Sequence, residues 1–173
     1  MSAGWTKSEP LTGWRRLVFG RSLKFTLVRL AITVLLFVVL FTFVFIPIRV
    51  TGISMEPAYR NGQVNLVNKL AYHRRPPQRG DVVAIPMKGE RALLLKRVIG
   101  LPGEDVVFRK GNVEINGHPL AEPYVKRKRA PWAETFNLGP DDYLVVGDNR
   151  EMAAELHEHG TCKQWQIAGK AVF

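Results

Sequence analysis

Phe43-Val44-Phe45-Ile46-Pro47-Ile48 closes a long apolar run, and after Arg49 and Val50 the stretch Thr51-Gly52-Ile53-Ser54-Met55-Glu56-Pro57 opens a chain of different texture. No charge occurs from Leu30 to Ile46, and Phe25, Leu27 and Val28 carry the apolar character back past Arg29. About 17 to 22 residues at a rise of ~1.5 Å cover a hydrocarbon core of ~30 Å, with Arg29 snorkelling to the headgroups. A cleaved secretory signal also has a basic start and an apolar middle, but it ends in small residues. This run ends in Phe, Val, Ile and Pro, so a retained anchor is expected.

The charge distribution sets the orientation. The chain of 173 residues carries 25 Lys and Arg against 15 Asp and Glu, a net charge of +10. Lys7, Arg15, Arg16, Arg21, Lys24 and Arg29 precede or enter the apolar run with only Glu9 against them, so half of the excess lies there. Basic flanks stay in the cytoplasm. The expected organisation is a cytoplasmic leader (1–24), a single-pass transmembrane anchor in the inner (cytoplasmic) membrane (25–48) and an extracytoplasmic domain (49–173). Long following domains translocate largely regardless of charge, so Arg49, Arg60 and Lys69 do not reverse this. The anionic partner is then phospholipid rather than nucleic acid. Lys126-Arg127-Lys128-Arg129, followed by Ala130-Pro131-Trp132, reads as a solvated loop or as a loop resting on anionic lipid.

Beyond the anchor, short runs rich in strand-forming residues alternate with Gly, Pro and Asn. Val64–Val67, Asp81–Ile85, Ala92–Leu95, Val106–Phe108, Val113–Ile115 and Tyr143–Val146 are strand-sized. Lys110-Gly111-Asn112 and Asn116-Gly117 carry hairpin-turn chemistry. An all-β domain with one N-terminal transmembrane helix is expected, and 46% apolar content suffices for a core. Cys162 is the only cysteine, which excludes an intramolecular disulfide, and it reads as a small buried hydrophobe.

A serine hydroxyl needs a base to become a nucleophile. For Ser54 the candidate is Lys96, which must lose its proton near neutral pH although a free lysine has a pKa near ~10.4. Burial against apolar groups disfavours the charged amine. On an alternating strand Leu94, Lys96 and Val98 share one face and Leu95 and Arg97 the other. One face would take Lys96 inward while Arg97 reaches water; periodicity alone leaves the reverse open.

Four blocks occur in order after the apolar run: Gly52–Pro57, Arg79-Gly80-Asp81-Val82-Val83, Lys96-Arg97-Val98-Ile99-Gly100-Leu101-Pro102-Gly103-Glu104, and Gly147-Asp148-Asn149-Arg150. With the anchor topology, this series resembles the bacterial type I signal peptidases from the anchor to Phe173. The resemblance implies a β catalytic fold, Ser54 as nucleophile, Lys96 as general base, and no cofactor or metal. It also implies an oxyanion and substrate-binding region at Gly52, Ile53, Ser54, Met55 and Pro57, with Leu94 and Leu95 on the strand carrying Lys96. Arg97, Asp148, Asn149 and Arg150 would support it. The implied partners are signal peptides of exported pre-proteins, bound as an added strand between the strand entering Ser54 and the strand bearing Lys96. The side chains at the first and third positions before the cut would be small.

The last block departs from the family. Ala153 stands where a serine hydroxyl normally orients the lysine, and Glu155-Leu156-His157 replaces an Asp-Ser-Arg triplet. Gly160 and Ile167–Ala171 return to the family pattern. Glu155, His157, His159 and Cys162 fit no common metal-ligand spacing. Three expectations follow: an active membrane-anchored peptidase; a degenerate homologue that binds signal peptides or a secretion partner without cutting; and a specialised Ser/Lys relative, such as a pilin-maturing or self-cleaving enzyme.

Overall fold

The computed structural model describes residues 23–87, 92–109, 111–125, 133–151 and 160–172. Two units result, divided between Thr42 and Phe43. The first contains helix α1 (Leu23–Phe43), 21 residues with no acidic group in its first turn. Its side chains are exposed on every side, among them Leu35, Leu36 and Phe37. A helix apolar all round and covered by nothing is built for an apolar surrounding, and Lys24–Phe43 is long and apolar enough to cross a membrane.

The second unit is β throughout. The anchor expected over residues 25–48 is divided here: α1 ends at Phe43, and Phe45–Arg49 is strand β1. Pro47, with no N–H and a fixed φ, cannot prolong a helix, whereas the flanking Phe and Ile suit a strand. The remaining strands are β2 (Val64–Asn68), β3 (Val82–Pro86), β4 (Leu93–Gly100), β5 (Asp105–Arg109), β6 (Asn112–Ile115), β7 (His118–Pro119), β8 (Glu134–Asn137), β9 (Asp142–Val146), β10 (Gly160–Lys163) and β11 (Gly169–Val172). They form a seven-stranded sheet in the order β1-β2-β11-β3-β4-β9-β10 and a four-stranded sheet in the order β7-β6-β5-β8. All the ladders are antiparallel.

All six strand-sized runs lie in strands, and the expected β class holds. Asn116-Gly117 closes β6–β7 with both φ values positive, 50° and 80°, as a tight primed turn requires. The run at Ala92–Leu95 was too short an expectation: β4 continues to Gly100 because Val98 and Ile99 find buried neighbours on both faces.

Alternation along β4 distributes its side chains among three clusters. Leu95 joins Val50, Met55, Tyr59 and Val82; Val98 joins Val83, Tyr143, Val145 and Cys162; Ile99 joins Val106, Phe108, Val113 and Leu144. The last cluster fastens the small sheet to the large one. Gly100 sits at that seam, where a Cβ would lie 2.5 Å from Leu138 Cδ1 and 2.8 Å from Val106 Cγ2. Cys162 is buried as expected, and burial, helped by Asp142, pushes its thiol up to about 11.

Candidate active site

Ser54 lies in the loop joining β1 to β2. Val50 N–H donates to Gln63 O and Gly62 N–H to Val50 O, each at 2.8 Å, closing the loop at its base. Met55 (2% exposed) and Tyr59 (0%) turn inward and anchor it. Tyr59 sits near Arg97 and Asp148, and burial, outweighing the lowering by Arg97, pushes its phenol up to about 12. Between these buried anchors and the base, Ser54 remains half-buried and Ile53 exposed.

Gly52 was expected to permit a close backbone approach. Nothing lies within 4 Å of a Cβ placed there; glycine is needed instead for a φ of +90°. That conformation is held by Asn61, whose Oδ1 accepts the Gly52 N–H at 3.1 Å. Pro57, reached through a cis peptide bond from Glu56, is exposed and does not line the groove.

Lys96 lies on β4 and is 2% exposed, with Nζ itself buried. The register sets it opposite Val83, which is fully buried, and Val98, next on the same face, is also at 0%. The expectation that Lys96 turns inward therefore holds. Its companion does not: Arg97, expected to reach water, is also buried at 8%. Both faces of β4 are covered at this point, so the guanidinium is neutralised in place. Nε and Nη2 donate to the two carboxylate oxygens of Asp148 at 2.8 and 2.6 Å, and Nη1 donates to Gly80 O at 2.7 Å. The Tyr124 ring covers it at 4.1 Å.

The Gly147–Arg150 segment joins both site strands. Asp148 holds Arg97, the residue after Lys96. Asn149 N–H donates to Ser54 O at 2.9 Å, and Asn149 Nδ2 donates to Ile53 O at 3.1 Å. Arg150 is buried against Glu122, donating from Nη2 at 2.5 Å, and Tyr124 O–H donates to the same carboxylate at 3.1 Å. Thus the loop carrying Ser54 and the strand carrying Lys96 are fastened to consecutive residues.

A groove of about 370 Å³ opens beside Ser54. Its walls include Val50, Gly52, Ser54 and Met55 on one side and Leu93, Leu94 and Leu95 on the other. β9 pairs with β4 at Arg97, Val98 and Gly100, whereas Leu93–Lys96 pairs with β3 alone among the described residues. The backbone edge of Leu93–Lys96 is thus the uncovered part of an interior strand. An extended chain can add to such an edge.

The second block works as scaffold. Arg79 donates to Ile99 O and pairs with Glu104 at 2.5 Å, while Glu104 Oε2 accepts the Leu101 N–H at 2.7 Å. Asp81 is buried, accepting from Lys170 Nζ at 2.5 Å and Tyr72 O–H at 3.2 Å. Sequence reasoning missed Tyr59, Asn61, Glu122 and Tyr124, whose roles depend on partners far away in the chain; only the Glu-Pro-Tyr string at 122–124 hinted at an ordered turn. Ala153, Glu155 and His157, with the basic loop at 126–129 and Trp132, lie outside the described residues.

The match to a family model described as signal peptidase, peptidase S26, covers residues 23–173. A probable signal peptidase I-2 from Synechocystis sp. is 34% identical over 124 residues, which is 68% of this chain and 57% of that protein. A signal peptidase I from Bacillus amyloliquefaciens is 34% identical over 153 residues, 82% of each chain. A crystal structure of a signal peptidase I from Enterococcus faecalis aligns with 56% of this chain and 97% of its own at 30% identity, with a TM-score of 0.47. The chain thus spans less than two thirds of the Synechocystis relative's length.

Proposed function

Since this chain belongs to the signal peptidase family, peptidase S26, we propose that it is a membrane-anchored serine endopeptidase that removes signal peptides from exported pre-proteins, with Ser54 as nucleophile and Lys96 as general base. The observation that carries this is the burial of Lys96, 2% exposed, on the strand whose open half walls the groove beside Ser54. An amine kept from water favours its neutral form, the form able to take a proton.

The pre-protein enters extended along Leu93–Leu95, adding a strand to the uncovered edge. Ser54 Oγ attacks the scissile carbonyl as Lys96 Nζ accepts the hydroxyl proton. The Ser54 N–H is the oxyanion donor, a contribution of roughly 3 kcal/mol in serine proteases. Collapse of the tetrahedral adduct expels the new amino terminus, which takes the proton from Lys96, and leaves an acyl ester on Ser54. Water, deprotonated by Lys96, then hydrolyses the ester. α1 is the anchor, with its basic N-terminal side in the cytoplasm and the β unit on the outer side.

The test is cleavage of a pre-protein with a small-x-small site by the full chain in detergent, alongside Ser54→Ala and Lys96→Ala. Both substitutions abolish cleavage if the dyad is correct. Retained cleavage by either rejects it.

A further inference from the structure

A second concavity, of about 670 Å³, lies in the β unit and shares no lining residue with the groove beside Ser54. Lys69, Tyr72, His73, Tyr143, Lys163 and Trp165 line it, with Asp141 as an acidic member. Trp165 is 79% exposed, the highest value among the exposed large apolar side chains of the described residues. Leu70, beside Lys69, is 46% exposed, and Arg74 and Arg75 after His73 are exposed too. Of the nearby acids, Asp142 is engaged with Lys163 at 3.4 Å.

A single exposed hydrophobe needs no explanation. An indole and a leucine set among cations is a different pattern, because indoles settle at headgroup depth while Lys and Arg meet phosphate. One backbone bond fixes where this cluster sits. Lys69 N–H donates to Val44 O at 2.8 Å, and Val44 directly follows Phe43, the last residue of α1. Where α1 spans the bilayer, Val44 emerges at its surface. Lys69 is then held one hydrogen bond away from the residue that leaves the membrane.

We propose that the Lys69–His73–Lys163–Trp165 concavity binds the phosphodiester headgroup of an anionic phospholipid and docks the β unit on the membrane surface. Trp165 and Leu70 enter the interface, and Lys69 and Lys163 meet the phosphate. This rests on α1 spanning the bilayer, as proposed above, but not on the dyad.

The full chain, with Trp165 as its sole tryptophan, is reconstituted into phosphatidylcholine vesicles with and without phosphatidylglycerol, the lipids carrying a headgroup-level quencher. Trp165 is expected to be quenched by lipid in the anionic vesicles, less at high salt. Docked occupancy should fall about fivefold for each of Lys69→Gln and Lys163→Gln, with cleavage in detergent unchanged. Trp165 reached only by aqueous iodide in both vesicle types overturns the proposal, as does lipid quenching indifferent to salt and to both lysines. Shielding of Trp165 by a soluble acidic peptide but not by anionic vesicles assigns the concavity to a protein partner and also overturns it. A carbonate wash distinguishes the two dependencies: release of the chain removes the anchor and the docking together, whereas retention with Trp165 in water removes the docking alone.

Discussion

Leu93–Lys96 and Arg97–Gly100 are consecutive halves of one strand with different surroundings. The second half is held by β3 or its approach on one side and by β9 on the other, with its guanidinium locked to Asp148 and its last glycine packed at the seam between sheets. The first half has β3 on one side and the groove near Ser54 on the other. The strand therefore divides its work at the bond between Lys96 and Arg97. Chemistry is assigned to the side chain at the last uncovered position, and rigidity comes from its neighbour.

Substitutions in the two halves should therefore fail differently. The largest effect is expected from Ser54→Ala or Lys96→Ala, which should lower signal-peptide cleavage on the order of 10⁴-fold or more with little loss of thermal stability. Comparable activity losses accompanied by unfolding would erase the distinction. Next comes Asp148→Asn, which leaves the buried Arg97 charge without its carboxylate. A cost of about 3–5 kcal/mol is expected, read in denaturant or calorimetric unfolding, with activity falling in step with folded protein. Gly100→Ala should cost about 1–3 kcal/mol by overpacking against Leu138 and Val106. It leaves the open half untouched, so cleavage per folded molecule should be unchanged.

The smallest effect is a pH dependence. Burial, the largest influence on Asp81, raises its carboxyl, but hydrogen bonds from Lys170, Gln78 and Tyr72 together hold it below the ordinary value. A carboxyl depressed in the folded state contributes stability above its unfolded value, and the contribution is lost as pH falls through the folded one. Asp81→Asn should lower stability at neutral pH by about 1 kcal/mol and flatten the acid limb of the stability curve. An unchanged acid limb would detach Asp81 from the sealed half.

How far the sequence disclosed this depends on whether a signal was local. Val64–Val67 and Tyr143–Val146 carry their own strand propensity, and Asn116-Gly117 states its turn outright. Ser54 and Lys96 were legible through the blocks that contain them. Phe45–Ile48 was assigned to the anchor because an apolar strand following an apolar helix offers no change of composition, only Pro47. Arg97 was misjudged because its partner is 51 residues away, and no periodicity of β4 reports a carboxylate on another segment. Asn61, a polar residue in a turn, looks like any other until its carbonyl oxygen is seen to hold the backbone two residues before Ser54.

The shortness of the exposed margin on β4 has a consequence for self-association. Bare sheet edges are templates on which further chains pair and fibres grow. A margin confined to Leu93–Lys96 gives a visitor few rungs, and the ladder to β9 begins at Arg97. A loosely extended polypeptide is thereby received for one encounter and released, while the long pairing that seeds an aggregate has nowhere to propagate.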